Sequence, residues 1–182
     1  MIVVGFGCLM AFIKNYSISV LVYTLFTNAI LLQIYPLVNN LALRIVLGSW
    51  SSDDILGNVN VSTMTILGCC GCIAAQLIAY CAVLGRVGPK DVMIMSNFCM
   101  LGYCFNEVLL MEKIQTEDAA GTLFIHVYGA VFGLTTSWFL GRKRRPKKKV
   151  EMSYTSLIFA TVGTLMLWVY WPSFNFGGSA RN

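Results

Sequence analysis

Long apolar runs separated by short polar connections dominate the chain. Five of them, at 17–38, 61–84, 92–111, 119–140 and 153–171, are poor in charge. A helix of about 20 apolar residues crosses a hydrocarbon core of roughly 30 Å, so the pattern predicts five crossings. A sixth run, 1–13, would reach only about 20 Å as a helix and is too short to cross unaided. It reads as the inner part of a helix whose outer half lies upstream, since it lacks the basic start and small-residue cleavage site of a signal peptide.

Composition strengthens this picture. The chain is 57% hydrophobic and only 12% charged, whereas soluble domains carry about a quarter charged residues. The expected fold class is an all-α membrane protein, and residues 1–182 are expected to form one transmembrane domain.

Charge then orients it. The connections on one side carry Lys14, Arg86, Lys90, Arg142, Lys143, Arg144, Arg145, Lys147, Lys148 and Lys149, against Arg44 and Lys113 on the other. The first group is therefore expected on the cytoplasmic side, with Asp53, Asp54, Glu112 and Glu117 facing outward. The basic loop 142–149 has the composition of a polyanion-binding patch. Its position between two crossings makes it a topology anchor able to touch anionic lipid headgroups, and no nucleic-acid partner is expected. The sequon at Asn60 falls outside in this arrangement and the one at Asn15 inside, where it could not be used. Six crossings would place both ends outside, with residues 172–182 as an outer tail, which again implies a missing upstream segment.

Seven cysteines raise the question of a metal or disulfide. Cys69, Cys70 and Cys72 lie inside an apolar run without a histidine or carboxylate to complete a tetrahedral site, so they read as small packing residues. No cofactor is expected. No nucleophile and base share a suitable spacing, and no phosphate loop is present, so no enzymatic role is expected.

The residues with chemistry cluster around the fourth full span. His126, the one histidine of the chain, sits near its middle, where an ionisable group is disfavoured unless it lines a polar cavity or finds a partner. Gly129 and Gly133 lie three and seven residues further on, so regular helical spacing puts them on its face and lets a neighbouring helix bury the ring against protein. A functional histidine and one satisfied by a neighbour's carbonyl both fit this pattern. Asp118 stands just before the span, placed to cap the helix or to favour a cation at its outer end. Glu107 lies inside the third span, about one turn from its outer end, where it could snorkel, pair with a neighbour or hold a cation.

The stretch from Asp118 to Leu134, DAAGTLFIHVYGAVFGL, resembles the fifth core helix of the Rh glycoproteins, the animal branch of the ammonium transporter superfamily. Further similarities follow in the same order: VGFGCLM at 4–10, AVLGRV at 82–87, FNE at 105–107, and the GTLMLWVYWPSFN ending at 163–175. The resemblance extends over nearly the whole chain but accounts for only about the first half of such a protein. It implies a partial ammonium-transporter-like bundle of about six helices, the first of two inverted repeats plus the start of the second. It also implies a multi-pass protein of the plasma membrane, trimeric or associated with a full-length homologue.

By this resemblance His126 is the first of two pore histidines that handle ammonia once ammonium has given up its proton. Glu107 and Asp118 would stand at the outer vestibule, and carbon dioxide is a weaker candidate for the same passage. Three departures stand out. The second histidine belongs to a later helix, Cys70-Gly71-Cys72 replaces a pore phenylalanine, and Leu157 takes a place where relatives often have an acid. Two expectations follow: an ammonia or ammonium channel that is part of a longer product, or a non-conducting subunit that pairs with a complete homologue.

Overall fold

The computed structural model describes residues 1–11, 17–48, 59, 61–118, 121–141 and 153–179. The basic loop, both sequon asparagines, Asp53 and Asp54 lie outside these residues. Six α-helices and two π-helical turns make up the described part: α1 (Ile2–Met10), α2 (Ser17–Leu47), α3 (Thr63–Val83), α4 (Pro89–Val108), α5 (Tyr128–Phe139) and α6 (Tyr154–Ser179). The π turns, Leu109–Lys113 and Thr122–Val127, prolong α4 and open α5. Five segments are long and apolar enough to cross a membrane: Ser19–Leu47, Thr63–Val83, Pro89–Lys113, Thr122–Phe139 and Tyr154–Phe176.

Local chemistry sets several boundaries. Ser62 Oγ accepts from the Thr65 amide at 3.2 Å and the Thr65 hydroxyl accepts from the Ser62 amide at 3.4 Å, a reciprocal cap that starts α3. At the start of α4, Pro89 gives up an amide that would have no partner there, and Asp91 Oδ2 accepts from the Gly88 amide at 3.0 Å.

Two helices outrun the apolar pattern. α2 passes through Pro36 and continues to Leu47, placing Arg44 on the helix instead of in a connection. α6 passes through Pro172 to Ser179, so residues 172–179, expected as an outer tail, are helical. Proline is tolerated inside such helices because neighbouring helices and local adjustment satisfy the carbonyl it frees.

α3 is the centre of the bundle. Gly129 and Gly133 of α5 lie directly against it: a Cβ on Gly129 would stand 2.6 Å from the Ala75 carbonyl oxygen, and one on Gly133 2.8 Å from Ala79 Cα. Between α3 and α4, the buried Gln76 Nε2 donates to Ser96 Oγ at 2.8 Å, and Ser96 Oγ donates to the Val92 carbonyl at 2.7 Å. Such polar pairs join helices where apolar burial alone gives little preference over lipid. The short α1 is covered by α6, whose Gly163 admits the α1 backbone: a Cβ there would lie 2.5 Å from the Leu9 amide nitrogen.

Beyond α1, α6 has little cover. Among its residues with described side chains only Ser156 and Gly163 are buried, while Leu157, Ile158, Leu165, Trp168 and Val169 are exposed.

Candidate outer cavity and pore residues

The ends of α2 and α4, the start of α3, the π turn before α5 and the last turns of α6 surround a cavity of about 320 Å³. Tyr35 and Asn39 come from α2, Gly68 and Gly71 from α3, Tyr103 and Glu107 from α4, Phe124 and Ile125 from the π turn, and Phe174 and Asn175 from α6. Glu112 and Asp118 also line it, and among the described residues no lysine or arginine does. Three carboxylates in a largely helical wall give the cavity a preference for cations.

Glu107 does not snorkel free. It is half-buried, and its Oε2 accepts a hydrogen bond from the Tyr35 hydroxyl at 2.8 Å, across 72 residues of sequence. Tyr35 is 1% exposed, so the bond is made away from bulk water. Tyr35 escaped the sequence reading because a tyrosine within an apolar run looks like packing; its signal was a hydroxyl at membrane depth in need of a partner.

Asp118 caps the helix. Oδ1 accepts from the Thr122 amide at 2.8 Å, and Oδ2 accepts from Leu123 at 2.7 Å and Phe124 at 3.2 Å. Gly121, at φ +66°, turns the chain so that three amides converge on one carboxylate, and the positive end of the helix reinforces the bonds. Asp118 also lines the cavity, so the same carboxylate holds the helix start and contributes negative charge.

His126 departs from expectation. The ring is exposed and lies outside the cavity lining, although Phe124 and Ile125 just before it are part of that lining. The glycines that were to bury it are themselves buried against α3. The cause is the π turn, in which the His126 amide donates to the Gly121 carbonyl at 3.3 Å, five residues back. A π turn holds more residues than an α turn and so rotates each one less, which carries His126 away from the Gly129 and Gly133 face. The ring instead sits beside Trp171 of α6, with centroids 6.4 Å apart. Trp171 in turn contacts Phe174 at 5.7 Å and Phe6 at 5.9 Å. Phe174 lines the cavity, so an aromatic file runs from the cavity through Trp171 to His126.

At the opposite end of the bundle, Arg86 joins α5 to the turn after α3. Its guanidinium donates to Ser137 Oγ at 2.7 Å, to the Ser137 carbonyl at 3.4 Å and to the Gly141 carbonyl. A cation here satisfies the last carbonyls of the helix and complements its negative end. The sequence showed Arg86 as one charge among the cytoplasmic set, and its partner 51 residues away was not legible there.

All seven cysteines are free thiols, and among the described residues no group of histidine, cysteine and carboxylate side chains could hold a metal. Gly71, within the Cys70-Gly71-Cys72 stretch, lines the cavity and Cys72 is fully buried.

This arrangement of helices has known relatives. The family described as Ammonium Transporter Family matches residues 1–182. The chain belongs to that family. It is 34% identical to the ammonium transporter Rh type C of Rattus norvegicus over 181 residues, which are 98% of this chain and 35% of that protein. Identity to the ammonium transporter Rh type B of Mus musculus is 35% over 96% of this chain and 37% of the relative. Among solved structures, Nitrosomonas europaea Rh50, described with the mechanism of conduction by the Rhesus protein family of channels, superposes with a TM-score of 0.77 at 30% identity. That match covers 95% of this chain and 44% of the Rh50 chain. The chain thus spans about a third of the length of the curated relatives it matches. It is a multi-pass membrane protein of an ammonium transporter family, with the Rh fold over the portion present.

Proposed function

We propose that the chain forms part of an Rh-type channel for ammonia or ammonium, with the outer cavity gathering the cation and His126 serving the passage beyond it. The observation that carries the reading is the file from the acid-lined cavity through Phe174 and Trp171 to the one histidine. Glu107 and Asp118 supply negative charge where a cation first arrives, and the aromatic walls favour it over a hydrated anion. In an apolar passage a charged ion would lose water without replacement and the neutral molecule would have the advantage. An imidazole both donates and accepts, which suits the passage of ammonia. The plasma membrane and a trimeric assembly accord with this reading, and carbon dioxide is a second candidate cargo.

Methylammonium or ammonia flux into proteoliposomes tests it. Flux above that of empty vesicles, lost in His126→Ala, is the expected result. Equal flux in His126→Ala and wild type refutes the assignment.

A second reading is favoured by the uncovered apolar side of α6. Here the chain pairs with a complete homologue and conducts nothing alone. Co-purification of the two without flux from this chain by itself supports it, and monodisperse chain that ignores the homologue refutes it.

A further inference from the structure

We propose that Tyr35 is a positioning residue that sets where Glu107 presents its charge to the cavity, and that the absent side chain of Gly68 makes room for it. The proposal rests on the channel reading only for its effect on the cation; the positioning itself is separable.

Three helices meet at this point. Tyr35 reaches from α2 and donates its hydroxyl proton to Glu107 Oε2 on α4 at 2.8 Å. Its hydroxyl oxygen passes over Gly68 of α3, where a Cβ would lie 2.5 Å from Tyr35 Oη and 3.3 Å from Cζ. The first separation is one that real Cβ atoms essentially never show, whereas the second asks only for a small shift. The hydroxyl is thus confined between a backbone that admits it and a carboxylate that receives it. All three residues line the cavity.

The physical consequence is directional. A carboxylate near the end of an apolar helix has several rotamers, and most would direct it away from an arriving cation. A hydrogen bond to an ionised group from a buried, immobile donor selects one and is stronger than a neutral pair. The selected carboxylate is held at a fixed depth, so its attraction for a cation is preorganised.

A double-mutant cycle tests this with two readouts on the purified chain in lipid. Tyr35→Phe keeps the ring and removes the donor, while Gly68→Ala keeps the donor and pushes it aside. The first readout is the infrared carboxylate stretch of Glu107, assigned by its disappearance in Glu107→Gln. It should shift equally in Tyr35→Phe and Gly68→Ala, and Gly68→Ala should add nothing once the hydroxyl is gone. An unmoved band in Tyr35→Phe, or additive effects in the double variant, overturns the proposal.

The second readout is ammonium concentration dependence. Each single variant should raise the half-saturating concentration about three- to tenfold with maximal flux unchanged. Saturation unchanged while the band shifts removes the cation-directing part of the proposal. If the band behaves as expected but no variant or wild type takes up ammonium, positioning stands and the channel reading falls. Gly68→Ala that folds only in the Tyr35→Phe background supports the proposal, and failure in both backgrounds overturns the role given to Gly68.

Discussion

Replacing Asp118 probes a carboxylate that serves both the fold and the cavity. Asp118→Ala strands the Thr122, Leu123 and Phe124 amides, which converge on it at 2.8, 2.7 and 3.2 Å. A typical single-bond cap is worth about 0.5–2 kcal/mol. Here one side chain receives three bonds and faces the positive end of the helix, which places the loss at about 2–4 kcal/mol. Asp118→Asn keeps one acceptor oxygen, enough for the two amides that share Oδ2, but turns an NH2 toward the third. Its loss should be intermediate, about 1–2 kcal/mol. Reversible unfolding in mixed micelles, followed by helical circular dichroism, measures both. A loss below about 0.5 kcal/mol for the alanine variant, or an asparagine variant as stable as wild type, refutes the capping argument.

Two further substitutions follow from the packing. Gly133→Ala places a methyl 2.8 Å from Ala79 Cα and 2.9 Å from its carbonyl oxygen, so α3 and α5 must part, at a cost of about 1–3 kcal/mol; Ala130→Leu on the exposed side of α5 should change the same unfolding midpoint little. Arg86→Ala removes the donor to Ser137 and Gly141 and should destabilise by about 1.5–3 kcal/mol, with Arg86→Lys recovering less than half because an ammonium cannot span the carbonyls as a planar fork does. Full recovery by lysine would reduce the contact to simple charge.

What the sequence made legible was what repeats along it. Length and polarity located the five long helices, because a bilayer demands about twenty apolar residues wherever the chain crosses. The glycine spacing at 129 and 133 pointed to a close helix contact, and Asp118 pointed to a cap, since both depend on neighbours within a few positions. Contacts set by helix rotation and by distant partners were not legible. Tyr35 meets Glu107 across 72 residues and Arg86 meets Ser137 across 51, and no periodicity links either pair. The ends of α2 and α6 were missed for a different reason: a proline and a falling apolar count end a pattern without ending a helix that its neighbours support.

His126 shows how a local change in helix type decides a functional face. A regular α-helix from Thr122 onward would hold the imidazole close to the line of Gly129 and Gly133, pressed toward α3. There it would face α3 about one turn before Ala75, near Gly71, where Tyr103 and Ile125 already pack. The Asp118 cap and the turn at Gly121 instead open the helix with a π turn, and the His126 amide bonds five residues back to Gly121. The glycines then approach α3 while the ring swings toward Trp171 and the free side of the bundle. Close packing and an accessible imidazole are incompatible on one face of this short helix, and the widened turn separates them. A deletion within 122–127 that restores α-helical spacing should therefore drive His126 against α3 and cost stability, whereas His126→Ala in the native spacing should not.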